Sequence, residues 1–176
     1  MVLVDFSQLN AAKDWFAVND TLMGGVSRSR MAVSPLGFGV FSGHVSLANG
    51  GGFASVRYDF DSLDLSDFAG IVLDVNGSTK RFKVNIKDSL LPDSCVYQAE
   101  FDMADFVDDT DDGHKAYGTW HKVMLPFDDF IAKRRGIGLQ NHQLNLTQVQ
   151  SLGLVIGGGQ AGDFSLNVRS IATIKG

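Results

Sequence analysis

Two short stretches combine polar side chains with glycine in a way that packing alone does not require. The first, Asn19-Asp20-Thr21-Leu22-Met23-Gly24-Gly25, places an amide, a carboxylate and a methionine in one loop. The second runs from Asn49 through three consecutive glycines to Phe53-Ala54-Ser55-Val56-Arg57. Consecutive glycines permit a sharp turn or a close approach by another group, so both stretches are predicted to take part in a binding site.

Further candidates come from half-buried positions on predicted strands. Residues two apart on a strand share a face, so Arg57 is expected beside Ser55 and Phe53. An arginine beside an aromatic ring belongs either to an ion pair at the rim or to a ligand-binding face. Gln98 and Trp120, with Tyr97, suit contact with carbohydrate or peptide, although each is also an ordinary β-sandwich residue. The predicted binding face therefore comprises Asn19, Asp20, Met23, Arg57, Gln98 and Trp120.

Residues 157–162 match G-x-G-x-x-G after an apolar strand, as in a dinucleotide-binding motif. That motif requires a helix directly afterwards, because the helix N-terminus holds the pyrophosphate. Residues 164–174 alternate like a strand instead. A glycine hairpin is therefore the preferred interpretation of this stretch.

Six aspartates and no basic residue lie in the acidic segment 102–112. Asp108, Asp112 and Gly113 mimic part of an EF-hand loop, but Thr119 stands where that loop requires Glu. We expect a solvated loop, and a calcium site of another type stays open. The histidines lack metal-ligand spacing and no serine lies in G-x-S-x-G, so no catalytic residue, metal site or cofactor is predicted.

The composition indicates which elements must position these residues. The chain has 176 residues, with 15 basic and 20 acidic side chains and a formal charge of −5. Every acidic residue except Glu100 is an aspartate, which favours turns and caps over helix interiors. With 20 glycines, this predicts strands joined by tight turns in one domain, residues 1–176. The chain lacks an apolar run long enough to span a membrane, and its acidity disfavours nucleic acid as a partner.

Period-two alternation and short apolar runs predict ten strands, the pattern of an all-β sandwich or barrel. They are residues 2–6, 27–33, 38–47, 53–60, 68–75, 81–87, 96–101, 120–125, 152–156 and 164–174. The apolar runs 68–75 and 152–156 are expected to be central strands. Residues 127–132 and 144–150 are predicted as short helical turns.

The cysteine content and the first residues of the chain indicate the cellular compartment in which the protein is expected. The single cysteine, Cys95, permits no internal disulfide and is expected in the core. Residues 1–6 lack the features of a secretory signal or a transit peptide. We therefore expect a cytoplasmic bacterial protein, and the mitochondrial matrix only if a presequence has been removed.

Several of these stretches together resemble the complex I intermediate-associated protein 30 family. The resemblance spans nearly the whole chain in the family's order, and its Met-Gly-Gly and Gly-Gly-Phe-Ala-Ser motifs are fairly specific. It rests on Trp15, Val18, Asp20, Met23-Gly24-Gly25, Ser27, Phe41-Ser42-Gly43, Gly51-Gly52-Phe53-Ala54-Ser55-Val56-Arg57, Tyr97-Gln98-Ala99, Trp120, Val123, Leu125-Pro126-Phe127, Leu152-Gly153-Leu154, Gln160 and Phe164.

The resemblance implies a galactose-binding-domain-like jelly roll of two antiparallel sheets, and it adds Gln160 to the predicted binding residues. Mitochondrial members of that family act as assembly chaperones for respiratory complex I. The first functional hypothesis is accordingly a non-enzymatic binding protein, expected to be a monomer, that holds a protein partner such as a respiratory-complex subunit. The alternative is a carbohydrate-binding module with a glycan as its partner, favoured if Trp120 and Tyr97 are exposed on the sandwich face. An uncharacterised enzyme is the second alternative.

Overall fold

The computed structural model describes residues 1–106 and 119–176, and the strands in this part of the chain number thirteen. Their bounds are β1 Val2–Asp5, β2 Phe16–Ala17, β3 Arg28–Val33, β4 Gly39–Val45, β5 Ala54–Leu63, β6 Phe68–Gly77, β7 Arg81–Lys87, β8 Val96–Asp102, β9 His121–Pro126, β10 Ile131–Arg134, β11 Ile137–Gly138, β12 Val149–Ile156 and β13 Gly162–Lys175. Short 3-10 turns are the helical elements within this described part.

The strands form two antiparallel sheets. The six-stranded sheet has the order β3-β4-β13-β6-β9, with β1 paired to β13 beside that path. The seven-stranded sheet has the order β11-β10-β8-β7-β12-β5-β2. Chain neighbours often lie in different sheets, as β12 and β13 do, so the topology is a jelly-roll sandwich and the predicted fold class is confirmed.

Alternation along each strand sends apolar side chains into one core between the sheets. In β7, Phe82, Val84 and Ile86 are buried while the residues between them face outward. Phe82 lies against Phe101 of β8, with ring centroids 5.9 Å apart. From the six-stranded sheet, the Phe41 centroid is 6.3 Å from that of Phe82 and 4.9 Å from that of Phe164. These four rings bridge the two sheets.

The observed strands confirm the ten predicted ones with shifts of a few residues at their ends. Both apolar runs became interior strands, since β6 lies between β13 and β9, and β12 lies between β7 and β5. Cys95 is buried in the core. The three unpredicted strands, β2, β10 and β11, have two to four residues each, too few for alternation to be recognised.

The predicted extents of the two helical turns were wrong, and so was the hairpin predicted for the glycine run. Within the predicted ranges 127–132 and 144–150, only Phe127–Asp129 and Leu146–Gln148 are helical. Ile131 and Ala132 instead pair with Gln98 and Tyr97 of β8, because a free sheet edge satisfies more backbone groups than another turn does.

The run 157–162 is not a hairpin, because it joins strands of different sheets, and β13 follows it where a dinucleotide site needs a helix. The acidic segment 102–112 lies mostly outside the described residues, and so do the residues of the calcium site that the sequence left open.

Candidate functional site

Asp20 is the centre of a buried hydrogen-bond network. Its side chain is 1% exposed, in the 3-10 turn Asp20–Met23 that follows β2. Its Oδ1 accepts the Ser27 N–H at 3.1 Å, and its Oδ2 accepts the Ser27 hydroxyl at 2.7 Å. Oδ2 also accepts the N–H groups of Gly52 at 2.7 Å and Phe53 at 3.3 Å. A single carboxylate thus joins both glycine-rich stretches.

The electrostatics of Asp20 follow from these donors. Burial raises the pKa of this carboxyl, but the hydrogen bonds from Gly52, Ser27 and Phe53 outweigh burial and hold the pKa below its ordinary value of 3.8. The charged form is therefore the one that the fold stabilises.

Two glycines of the motifs are explained by the space that Asp20 occupies. A Cβ on Gly25 or Gly51 would collide with the Asp20 carboxylate. Gly24 has a different role, since it closes the turn with φ +86° and donates its N–H to Thr21. The glycine pattern that predicted a binding loop thus also packs the protein around its own carboxylate.

Asn19 extends the same network between the sheets. Its Oδ1 accepts the Ser55 N–H of β5 at 3.0 Å and the Ser29 hydroxyl of β3 at 2.7 Å. The Ser55 hydroxyl in turn donates to the Val18 carbonyl. We call Asn19, Asp20, Ser27, Ser29 and Gly52 the Asp20 clamp. It ties the edge of the seven-stranded sheet to β3 of the other sheet.

Met23 and Gln160 lie in surface loops with different surroundings. Met23 follows the clamp and is 70% exposed. Gln160 lies between β12 and β13, and its Oε1 accepts the Arg81 N–H at 2.9 Å. Its Nε2 donates to the carbonyls of Arg81 at 2.9 Å and Gly157 at 2.8 Å. The Gln160 amide therefore fastens the inter-sheet loop to β7.

Arg57 and Gln98 lie on the outer face of the seven-stranded sheet, in one row perpendicular to the strands. The pairing registers define the row in spatial order as Phe16, Arg57, Gly153, Asn85, Gln98 and Ile131, which we call the central row. Arg57 and Gln98 are three strands apart, about 14 Å at normal strand spacing.

The side chains of the central row are held in place by each other. The Arg57 guanidinium lies 4.9 Å from the centroid of the Phe16 ring, and its Nε is 2.8 Å from Asp59 Oδ1. Gln98 Nε2 donates to Asn85 Oδ1 at 2.7 Å. Gly153, between these pairs, has no room for a Cβ, which would come within 2.9 Å of the Val56 carbonyl oxygen. The central row therefore has a depression at Gly153, with the longer polar side chains of Arg57 on one side and of Asn85 and Gln98 on the other.

A second row lies beside the first and consists of Asp59, Ser151 and Lys87. Ser151 is small and buried, so the depression at Gly153 continues along β12. Burial lowers the pKa of Lys87 and the nearby charge of Arg57 lowers it further, which outweighs the opposing effect of Cys95, Asp59 and Asp88. Among the described residues, no carboxylate lies within ion-pair distance of the Lys87 ammonium. Lys87 is thus a partly desolvated cation that lacks a close counter-ion there.

A third row, Ser55, Val155, Lys83 and Glu100, completes what we call the β12 face. The three rows carry three basic and two acidic side chains, whereas the whole chain has a formal charge of −5. The β12 face is therefore more positive than the protein as a whole, and it favours ligands that bear negative charge or carbonyl oxygens.

Trp120 lies on the other side of the sandwich. It directly precedes β9 of the six-stranded sheet, and its ring centroid is 5.3 Å from that of Phe38. The Arg169 guanidinium lies 4.1 Å from the Trp120 ring centroid. Tyr97 is buried, because it points into the core and donates its hydroxyl to the Gln143 carbonyl.

The predicted binding residues thus fall in separate places. Asn19 and Asp20 share the Asp20 clamp, with Met23 exposed at the end of the same turn, and Arg57 and Gln98 share the β12 face. Trp120 and Gln160 lie apart from both groups. The sequence did not identify Phe16, Asn85, Gly153 and Lys87 as residues of the β12 face. The alternating pattern of the strand predicted that Asn85 and Lys87 face outward. No local sequence pattern, however, indicates the strand order that brings them beside Arg57. No group of three or more metal-ligating side chains occurs within residues 1–106 and 119–176. Likewise, no helix within those ranges is long and apolar enough to cross a membrane.

Comparison with known proteins adds a family and a set of similar folds. Residues 4–168 match the family model described as complex I intermediate-associated protein 30. No curated protein matches the chain in sequence.

Among solved structures, the fold is similar to a family 11 carbohydrate-binding module from Clostridium thermocellum, determined in complex with a β-1,3-1,4-mixed-linked tetrasaccharide. The TM-score is 0.68 at 15% identity, over 99% of this chain and 94% of that chain. A carbohydrate-binding module described as specific for non-crystalline cellulose gives a TM-score of 0.57 at 9% identity, over 98% and 93% of the two chains. Part of an agarase gives 0.64 at 12% identity, over 100% of this chain and 24% of that chain. At such identities the likeness concerns the fold alone.

Proposed function

We propose that this chain, which belongs to the complex I intermediate-associated protein 30 family, holds a protein partner through its β12 face. The family and the similar folds support a non-catalytic binding domain. The family description supports a protein as the partner, because it refers to association with a complex I intermediate. No catalytic residue is assigned.

One observation carries the choice of surface: a row of charged and amide side chains crosses the β12 face beside a partly desolvated lysine. Arg57 is already oriented by Phe16 and Asp59, so it loses little side-chain entropy on binding. Arginine in such a setting is a common interface anchor. Asp59 and Asp88 act on Lys87 from beyond ion-pair distance, so a partner carboxylate near Lys87 would supply the close counter-ion that the described residues do not. The proposed partner therefore presents an acidic, polar surface.

The carbohydrate alternative is supported by the likeness in fold to carbohydrate-binding modules. On the β12 face, however, the aromatic ring of the central row is Phe16 at the sheet edge, beneath Arg57. Tyr97 faces the core, and Trp120 lies on the other side. The one aromatic ring of the central row thus stands at its end and not across its middle, where a bound sugar would stack, so the geometry of this face favours a protein over a glycan. A glycan array that responds to the wild-type chain and not to Arg57→Ala would reverse that preference.

The test compares variants in affinity purification from the native host, with captured proteins identified by mass spectrometry. Arg57→Ala is expected to weaken partner binding about 30-fold, the effect of losing an interface anchor. Lys87→Met keeps most of the side-chain length but removes the charge, and it should weaken the same binding about tenfold. Both losses should be accompanied by a weaker dependence on salt than the wild type shows.

Arg30→Ala is the matched control, because Arg30 is an exposed arginine on β3 of the opposite sheet. It should retain every partner. Circular dichroism and melting curves establish that each variant is folded. If folded Arg57→Ala and Lys87→Met capture the same proteins as Arg30→Ala, in the same amounts, the β12 face is not the partner site.

A further inference from the structure

A pocket of about 540 Å³ lies on the opposite side of the sandwich from the β12 face. It opens between the end of β1, the turn that joins β3 to β4, and the residues that begin β9. Its volume is within the range of small-ligand sites. We propose that this pocket is a second binding site, which takes a neutral polyhydroxylated ring such as a sugar residue. This inference concerns another surface and another ligand class, so it does not depend on the proposed function.

The apolar wall of the pocket is aromatic. Trp120 and Phe38 meet edge to face, with ring centroids 5.3 Å apart and planes 66° to each other. Leu36, in the adjoining turn, is 84% exposed and continues this wall. A rigid surface of this kind packs well against the C–H groups of a ring.

A bulge in β13 brings the polar groups to the pocket. The pairing of β13 with β6 shifts register between Val168 and Ser170, so Arg169 and Ser170 both line the pocket. β-Bulges re-aim side chains in this way. The Arg169 guanidinium carbon lies over the Trp120 ring, 4.1 Å from its centroid, and the several N–H groups of the guanidinium are donors at this side of the pocket.

Both charged groups of the pocket already have compensation from the protein. Asp5 Oδ1 accepts the Ser7 N–H at 3.0 Å and the Ser7 hydroxyl at 2.7 Å. Arg169 lies 3.6 Å from Asp74. One cation and one anion among the lining residues give no net charge. A charged ligand would therefore gain little at these solvent-screened groups.

The pocket also offers hydrogen-bond donors and hydrogen-bond acceptors to a ligand. The second oxygen of Asp5 is an acceptor, the edge of Arg169 offers donors, and the Ser170 hydroxyl can act as either. A hydroxyl group both donates and accepts, so adjacent hydroxyls on one ring satisfy such a mixed set. Aromatic wall, zero net charge and mixed donors and acceptors together favour a sugar ring over an amino acid or an anion.

The test uses the two tryptophans of the chain as reporters. Trp15 is buried in the core, whereas Trp120 lines the pocket. In ¹⁵N NMR spectra, titration with the neutral disaccharides cellobiose, lactose and maltose should shift the indole N–H signal of Trp120 saturably with at least one sugar. The Trp15 signal should stay in place. Trp120→Phe assigns the signal by its disappearance.

Arg169→Lys keeps the charge but loses the planar, stacked donor edge, and it should weaken sugar binding at least about tenfold. Arg30→Lys on the exposed side of β3 is the control and should bind as the wild type does. Because the ligand is neutral, binding should change less than twofold between low and high salt. The proposal is overturned if none of the sugars shifts Trp120, if acetate or glycine shifts it instead, or if folded Arg169→Lys binds sugar normally.

Discussion

Asp20→Ala is expected to lower the free energy of unfolding by about 3 kcal/mol, measured by urea denaturation at neutral pH. The substitution leaves the backbone N–H groups of Ser27, Gly52 and Phe53 without their acceptor in a buried site. The Ser27 hydroxyl also loses Asp20 but keeps the Ser46 carbonyl as an acceptor. A single unsatisfied buried donor costs about 1–3 kcal/mol, and water reaching the vacated space would offset part of the total. The Asp20 clamp is thus predicted to be among the most sensitive polar sites of the fold.

The same variant should change the acid dependence of stability. The pKa of Asp20 is held below 3.8 in the folded protein. Its contribution is therefore fully present above the unfolded-state pKa and is lost as the pH falls through the lower folded-state pKa. The stability difference between wild type and Asp20→Ala should shrink as the pH falls below about 4. A difference that stays constant down to pH 2 would contradict the assignment.

Two further variants separate the clamp from general effects. Asp20→Asn keeps an acceptor for the three donors at Oδ2 but directs an amide at the Ser27 N–H, so we expect about half of the loss. Asp64→Ala is the control, because Asp64 is an exposed aspartate whose bonds are to nearby Ser66. Equal destabilisation by Asp64→Ala and Asp20→Ala would show that burial of the carboxylate has no special role.

Phe82→Ala is expected to lower the free energy of unfolding by about 3–5 kcal/mol, the usual cost of a large cavity in a core. Phe82 is fully buried, and its ring neighbours are Phe101 in its own sheet and Phe41 and Phe164 in the other. The cavity would open between the two sheets, where neither can close it without moving a whole strand. Thermal denaturation followed by near-ultraviolet circular dichroism measures the loss and any loosening of aromatic packing.

Phe16→Ala is the matched control for the ring. Phe16 is 41% exposed on the edge strand β2, and its aromatic contact is with Arg57. Its loss should cost about 1 kcal/mol or less. If Phe82→Ala costs no more than Phe16→Ala, the four-ring cluster does not hold the sheets together.

The strands were predictable because their signal is local. In β7 the alternation of Phe82, Val84 and Ile86 with polar residues is enough to indicate a half-buried strand. The family motifs were also recognisable, since Met23-Gly24-Gly25 and Gly51-Gly52-Phe53 are contiguous. The short strands β2 and β10 could not be predicted, because they become strands by pairing with β5 and β8.

The functional interpretation of the motifs needed the tertiary structure. Glycines beside polar residues predicted a binding loop, which stays a prediction, and the space beside Gly25 and Gly51 is filled by Asp20 of the same chain. A glycine that admits a ligand and a glycine that admits a neighbouring side chain have the same local pattern. Only the position of the Asp20 carboxylate distinguishes the two.

The sequence by itself determined the fold class, most strand positions and the family resemblance, because these depend on periodicity and contiguous motifs. Only the tertiary structure decided which residues share a surface. It placed Arg57 with Asn85 and Gln98, and it put Trp120 on the opposite side with Arg169. The reason is topological: in a jelly roll, sheet neighbours are often distant in the chain, and strand order is set by the packing of both sheets around one core.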